Sequence, residues 1–202
     1  ANAQNDIYKS CSKPNIQSGT PTYWLRASEV YFLRAEAALV WEGFGSADSW
    51  YKQGIDMSFQ ENGVTDPVDD YMNSNLSPRA YVLSHYQYGQ TLSAPCETTV
   101  KFEGTTEQKL EKIMIQKWIA LFPNGQEAWT EWRRTGYPKL NVIKTLKGAV
   151  QGATLEGGIR RMIYPTSFSQ TNEGKAIYEA ALKLFNNGAG GEDKSSTRLW
   201  WD

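Results

Sequence analysis

Apolar residues recur at three- and four-residue steps in five stretches of the chain, and each predicts a helix. Over 25–42, Val30, Leu33, Ala37, Val40 and Trp41 share one face. Ala35, Ala37 and Ala38 are small, so a second helix can approach closely, and Gly43 and Gly45 end the run. Over 46–62, Ser46 is a natural N-cap and Asp48 favours the positive end of the helix dipole. Tyr51, Ile55 and Phe59 form its apolar row, and Asn62-Gly63 closes it. Two helices joined by a short Gly turn make an antiparallel hairpin, the unit of tetratricopeptide-like repeats, although the strict consensus of that repeat is absent. Over 105–122, Thr105 and Gln108 fit a capping box. Leu110, Ile113, Met114, Trp118 and Leu121 make one face, and Ile115, Ile119 and Phe122 widen it, which predicts burial on several sides. A fourth helix is predicted over 126–134. A last one over 173–185 places Ile177, Ala180, Ala181 and Leu184 together and ends at Gly188.

The stretches between are polar and broken. Residues 1–24 read as an irregular lead-in whose rings are Tyr8, Tyr23 and Trp24. Residues 64–104 read as a loop excursion. Within it, Asp66-Pro67 and Asp69-Asp70 predict a turn, and Ser77-Pro78 open a short helix through Ala80, Tyr81, Val82 and Leu83. Tyr81, Tyr86 and Tyr88 then cluster near His85. Long excursions often carry function, although such rings also cover core edges. Residues 135–171 are interrupted by Gly148, Gly152, Gly157 and Gly158. A polar, Gly-rich tail, 186–198, ends in Leu199-Trp200-Trp201, rings expected to dock back on the helices. The expected fold class is mainly all-α, with tetratricopeptide-like hairpins and long irregular loops, as a single domain over 1–202.

Composition narrows the function. The net charge is −1 with both signs interspersed, which argues against nucleic acid. No run of about 18 apolar residues exists to form a membrane-spanning helix. His85 is the only histidine and no CxxC occurs, so zinc chemistry is not expected and any Ser–His triad would have to use His85. The glycines near 152–158 lack a phosphate-loop pattern. No signal peptide precedes Ala1, and Cys11 has no apolar stretch before it, so it is not a plausible lipidation site. Cys11 and Cys96 could pair in an oxidising compartment or remain thiols. No cofactor is expected.

Charged groups offer chemistry and blander roles side by side. Glu127 and Glu131 lie four apart on one helix and could act as paired carboxylates, but glycosidase carboxylates approach a cleft from separate elements. Lys117, Arg133 and Arg134 are near in sequence, so a structural ion pair is the expectation. Arg133-Arg134 and Arg160-Arg161 could grip an anion. The structural alternative buries one arginine of each pair against Glu29, Glu36 or Glu131. Asp66, Asp69 and Asp70 could offer oxygens to Ca²⁺, without the spacing of an EF-hand.

The most informative stretch is 116–138, where one helix ends, Pro123-Asn124-Gly125 breaks the chain, and a second helix begins. It holds Trp118, Trp129 and Trp132. Gln116-Lys117-Trp118-Ile119-Ala120-Leu121-Phe122, Asn124-Gly125-x-Glu127-Ala128-Trp129 and Glu131-Trp132-Arg133-Arg134-Thr135-Gly136-Tyr137-Pro138 closely resemble the SusD/RagB-like family. So do, in order, Glu29-Val30-Tyr31-Phe32-Leu33-Arg34-Ala35-Glu36-Ala37, Arg160-Arg161-Met162-Ile163-Tyr164-Pro165 and Leu199-Trp200-Trp201-Asp202. The resemblance runs over most of the chain from about Thr22 and corresponds to the C-terminal part of that family's architecture. It implies a non-catalytic, surface-exposed, lipid-anchored outer-membrane protein that captures oligosaccharides or other nutrients for a TonB-dependent, SusC-like transporter. The anchor would then lie outside this chain. The resemblance carries no ligand residues across. The candidates from the residues themselves are Tyr8, Trp24, Tyr81, Tyr86 and Tyr88, rings in loops that could stack on sugars. A protein-interaction scaffold and a glycan-active hydrolase are the alternative functions.

Overall fold

The computed structural model describes residues 13–83, 90–141, 158–185 and 188–202. The described chain is mostly helical, with one two-stranded hairpin. It divides into two compact units: Ala1–Trp132 with Gly136–Asn141, and Arg133–Thr135 with Val142–Asp202.

The first unit is built on a helical hairpin. Helix α1, Ala27–Val40, and helix α2, Ala47–Asn62, lie antiparallel, with Ser28 near Glu61 at one end and Arg34 stacked on Trp50 at the other. Ser46 caps α2 by accepting from the Ser49 amide, and Gly63 ends it in the left-handed region at φ 66°. Close approach of the two helices depends on Gly54, because a Cβ there would stand 2.7 Å from the Phe32 ring. Helix α3, Val68–Met72, replaces the turn expected from Asp66-Pro67 and Asp69-Asp70. Pro67 holds an extended φ/ψ ahead of it, and the next residues are free to wind. Helix α4, Thr106–Ala120, carries the capping box: Thr105 Oγ1 accepts from the Gln108 amide while Gln108 Oε1 accepts from the Thr105 amide. Helix α5, Gly125–Thr135, follows with Asn124 as its N-cap and Gly136 as its left-handed end. Phe32, Ala35, Tyr51, Ile55, Val100, Ile113 and Met114 form the core between α1, α2, α4 and the segment before α4. The buried Tyr51 hydroxyl donates to the Val100 carbonyl at 2.8 Å.

Two helix faces differ from the expected ones. On α1 the buried positions are Ser28, Glu29, Phe32 and Ala35, whereas Val30, Leu33, Val40 and Trp41 are exposed. Ser28 can be buried because Glu61 satisfies it twice, accepting from its amide at 3.1 Å and its hydroxyl at 2.6 Å. That carboxylate caps the first turn of α1 from the end of α2, where Arg26 supplies no side-chain cap. On α4, Ile119 stands in solvent, as does Phe122 just after the helix, while Lys112, Gln116 and Lys117 are buried. Long polar side chains pack their stems like aliphatic groups when their heads find partners. Trp118, Trp129 and Trp132 are each half-buried.

The short helix expected from Ser77 to Leu83 does not form. Tyr81–Leu83 is strand β1, paired antiparallel with strand β2, Gln90–Leu92, so that Tyr81 faces Leu92 in register. Tyr-Val-Leu has strand propensity, and pairing outweighs the helix start that Ser77-Pro78 offers.

The second unit centres on an aromatic cluster and two arginines. Helix α6, Asn172–Lys183, is capped by Thr171 and preceded by a 3-10 turn over Thr166–Ser169. Tyr164 meets Phe168, Tyr178 and Phe185, and the Arg161 guanidinium lies over the Tyr164 and Phe185 rings. Arg160 and Arg161 are buried with aspartates of the tail as partners. Arg161 pairs with Asp193, and Arg160 pairs with Asp202 at 2.6 Å. Arg133 donates to the Arg160 carbonyl at 2.6 Å, and Arg160 returns a bond to the Arg133 carbonyl at 3.2 Å. The acids come from the tail, which supplies fixed carboxylates close to these arginines. Trp201 is half-buried under the Arg133 guanidinium, 4.5 Å away, whereas Trp200 remains exposed.

Candidate functional site

In the first unit, the lead-in, the start of α1 and the α4–α5 turn enclose an open cleft of about 850 Å³. Its shape follows from local chemistry. In the lead-in, the Gln17 amide donates to Thr20 Oγ1 at 2.8 Å and the Thr20 amide donates to the Gln17 carbonyl at 3.0 Å, which turns the chain back. Arg26 then lies 4.7 Å over the Tyr23 ring and reaches Asn62 Oδ1 at 3.4 Å, tying the lead-in to the end of α2. Across the cleft, Asn124 caps α5 by accepting from the Glu127 amide.

The rim is aromatic and wet. Trp24 is 92% exposed, and Tyr23, Leu25 and Phe122 are also exposed. Asn62, Asn124 and Gln126 add amide groups to the walls. Indole and phenyl faces stack on the C–H faces of rings, and amides both donate and accept toward hydroxyls. Rings and amides together suit a hydroxylated ligand with flat apolar faces.

Two carboxylates line the cleft from separate helices, Glu29 on α1 and Glu127 on α5. Burial pushes the Glu29 carboxyl above its ordinary range; the Lys117 ammonium opposes this, and the Glu127 and Glu131 charges add to it. Lys117 is almost fully buried and lies 3.3 Å from Glu131 Oε2. Glu131 thus pairs with a buried lysine, the structural ion pair expected for it in the sequence. Among the described residues no group of three or more His, Cys, Asp or Glu side chains could hold a metal ion, and Asp69 is engaged by Lys52. No helix among them is long and apolar enough to cross a membrane.

Of the rings singled out in the sequence, Trp24 lines the cleft. Tyr81 sits half-exposed on β1 and is not among the residues lining it. Tyr8, Tyr86 and Tyr88 lie outside the described residues, as does Cys11. Sequence reading missed Phe122, Asn124 and Gln126 as cleft residues. They sit at the Pro123 break, and the break itself was the available signal, because side chains flanking a tight helix-to-helix turn cannot all point into a core.

Helical hairpins thus carry an open, ring-rimmed cleft. The chain belongs to the SusD-like family: the description Susd and RagB outer membrane lipoprotein matches residues 1–202. Similar solved structures include a SusD homologue from Bacteroides thetaiotaomicron VPI-5482, 40% identical with a TM-score of 0.79 over 93% of this chain and 40% of that one. A SusD homologue from Bacteroides vulgatus ATCC 8482 is 35% identical with a TM-score of 0.80, over 95% of this chain and 38% of that one. A chitin-binding SusD homologue from Flavobacterium johnsoniae is 40% identical with a TM-score of 0.72, over 89% of this chain and 36% of that one. No curated protein matches the chain. The chain therefore spans well under half the length of these relatives.

Proposed function

We propose that this chain is part of a non-catalytic, cell-surface glycan-binding protein that captures oligosaccharides and hands them to a TonB-dependent, SusC-like outer-membrane transporter. The whole protein would be held at the outer membrane by a lipid anchor. The observation that carries the reading is the exposed Trp24 indole at the rim of a cleft whose walls add Phe122 and the amide side chains of Asn15, Asn62, Asn124 and Gln126. Stacking supplies affinity, amides select hydroxyl patterns, and a half-open cleft releases its cargo readily. Membership of the SusD-like family and a chitin-binding relative support the same ligand class. Hydrolysis by Glu29 and Glu127 is the alternative; membership of the SusD-like family supports binding without bond cleavage.

Calorimetry against neutral oligosaccharides, with chitin fragments first, tests the reading when combined with chromatography of the mixtures. Heat of binding with the oligosaccharide recovered intact is expected. Shortened products, or no heat from any member of a broad glycan panel, would overturn it.

A further inference from the structure

A second cavity, of about 510 Å³, opens in the first unit between α4, the 95–100 segment and the chain after α5. Its walls are largely apolar and include the Trp118 indole. Among the described residues three cations line it, Arg79, Lys112 and Lys139, and no carboxylate does. The whole chain holds 21 basic and 22 acidic residues, so this is a local excess and not a reflection of composition.

Lys112 is the informative group. It is 6% exposed, and its ammonium donates to the Thr99 carbonyl at 3.0 Å and to Thr99 Oγ1 at 3.2 Å. An ammonium has three N–H donors, so one remains. Glu103 and Glu111 act on Lys112 only as distant charges, and no ion pair forms between it and a described acid. Burial accordingly pushes its pKa below the ordinary lysine range. Lys117, one turn and a residue further along the same helix, is buried with its own glutamate. A buried ammonium without a counter-ion is costly to hold, and a ligand carboxylate would supply both the missing charge and the missing acceptor.

We propose that this cavity binds a carboxylate carried on a ring with an apolar face, with Lys112 as its counter-ion, Trp118 beside the ring, and Arg79 and Lys139 at the mouth. An acidic sugar of the uronic type meets this description, and so does an aromatic carboxylate. Only the sugar identity rests on the glycan-binding reading; the carboxylate site does not.

The test is calorimetry on the full chain with digalacturonic acid, a neutral disaccharide and benzoate, comparing wild type with Lys112→Met, Lys112→Arg and the surface variant Arg79→Gln. Circular dichroism checks that each variant keeps its helix content. Digalacturonic acid should bind in preference to the neutral disaccharide, and Lys112→Met should weaken it by roughly tenfold or more. Lys112→Arg should retain binding, and Arg79→Gln should weaken it without touching the buried wall. Benzoate binding with the same Lys112 dependence, in the absence of digalacturonic acid binding, would support the carboxylate site and assign it to an aromatic acid. Neutral-oligosaccharide binding at the Trp24 cleft should persist in Lys112→Met, which separates failure here from failure of the glycan reading. If neither carboxylate binds, or if folded Lys112→Met and Arg79→Gln bind as tightly as wild type, the proposal is wrong.

Discussion

Lys117 Nζ lies 3.3 Å from Glu131 Oε2, and the two side chains are only 1% and 11% exposed. This contact joins α4 to α5 across the Pro123 break and fixes one wall of the cleft. Removing one member of a buried pair leaves the other charge without its partner, which costs about 3–5 kcal/mol. Glu131→Gln should therefore lose about that much in chemical denaturation, because Lys117 keeps its buried charge. A loss under about 1 kcal/mol, the range of exposed pairs, would mean that the contact is incidental.

Glu29 gives the fold a pH dependence of defined sign. Its folded pKa is raised, chiefly by burial, so the folded state binds a proton more readily than the unfolded chain. The associated stability is fully present below the ordinary carboxylate pKa and is lost as pH rises through the raised value. Melting curves between about pH 4 and pH 7 should show Glu29→Gln gaining on wild type as pH rises. A constant difference between the two proteins across that window would refute the assignment.

Gly54 makes the opposite prediction from helix propensity. Alanine in a helix interior is favoured over glycine by about 1 kcal/mol. Here its methyl would stand 2.7 Å from the Phe32 ring, which is 1% exposed and has no room to retreat. Gly54→Ala should destabilise by about 1–3 kcal/mol through overpacking. A gain in melting temperature would show that α1 and α2 can separate freely.

In the second unit, Asp193 accepts from the Arg161 guanidinium, from the Tyr164 amide at 3.1 Å and from the Tyr178 hydroxyl at 3.4 Å. One carboxylate thus holds the tail, the Arg161 segment and α6 together. Asp193→Ala should cost about 3 kcal/mol or more and speed proteolysis within residues 158–202. An unchanged digestion pattern would count against this role.

What was legible in the sequence was local. The Thr105–Gln108 capping box, the Ser46 cap and the Gly63 helix end depend on residues within four positions of one another, and all formed as read. Burial on α1 depended on a distant group. Two faces were available, one aliphatic and one bearing Ser28 and Glu29, and Glu61, 33 residues away, made the polar one buriable. The arginines' acids were equally out of reach, 32 and 42 residues along the chain in a tail that reads as polar linker. Strands of three residues carry too little pattern to outcompete a Ser-Pro helix start on paper. Trp24 stood out as a ring in a polar lead-in, and it lies exposed at the cleft. Its cleft neighbours did not stand out, because Phe122 continues the apolar spacing of α4 and is turned outward only by the break that follows it.

On the proposed function, the chain holds a glycan against Trp24 without breaking it. Titrating wild type and Trp24→Ala with the same neutral oligosaccharide, and analysing the recovered sugar, tests this most directly. Trp24 is 92% exposed, so its removal leaves the core untouched and isolates the stacking contribution. Intact sugar from both proteins and roughly tenfold weaker binding by Trp24→Ala are expected. Equal affinities, or cleaved sugar from either protein, would contradict it.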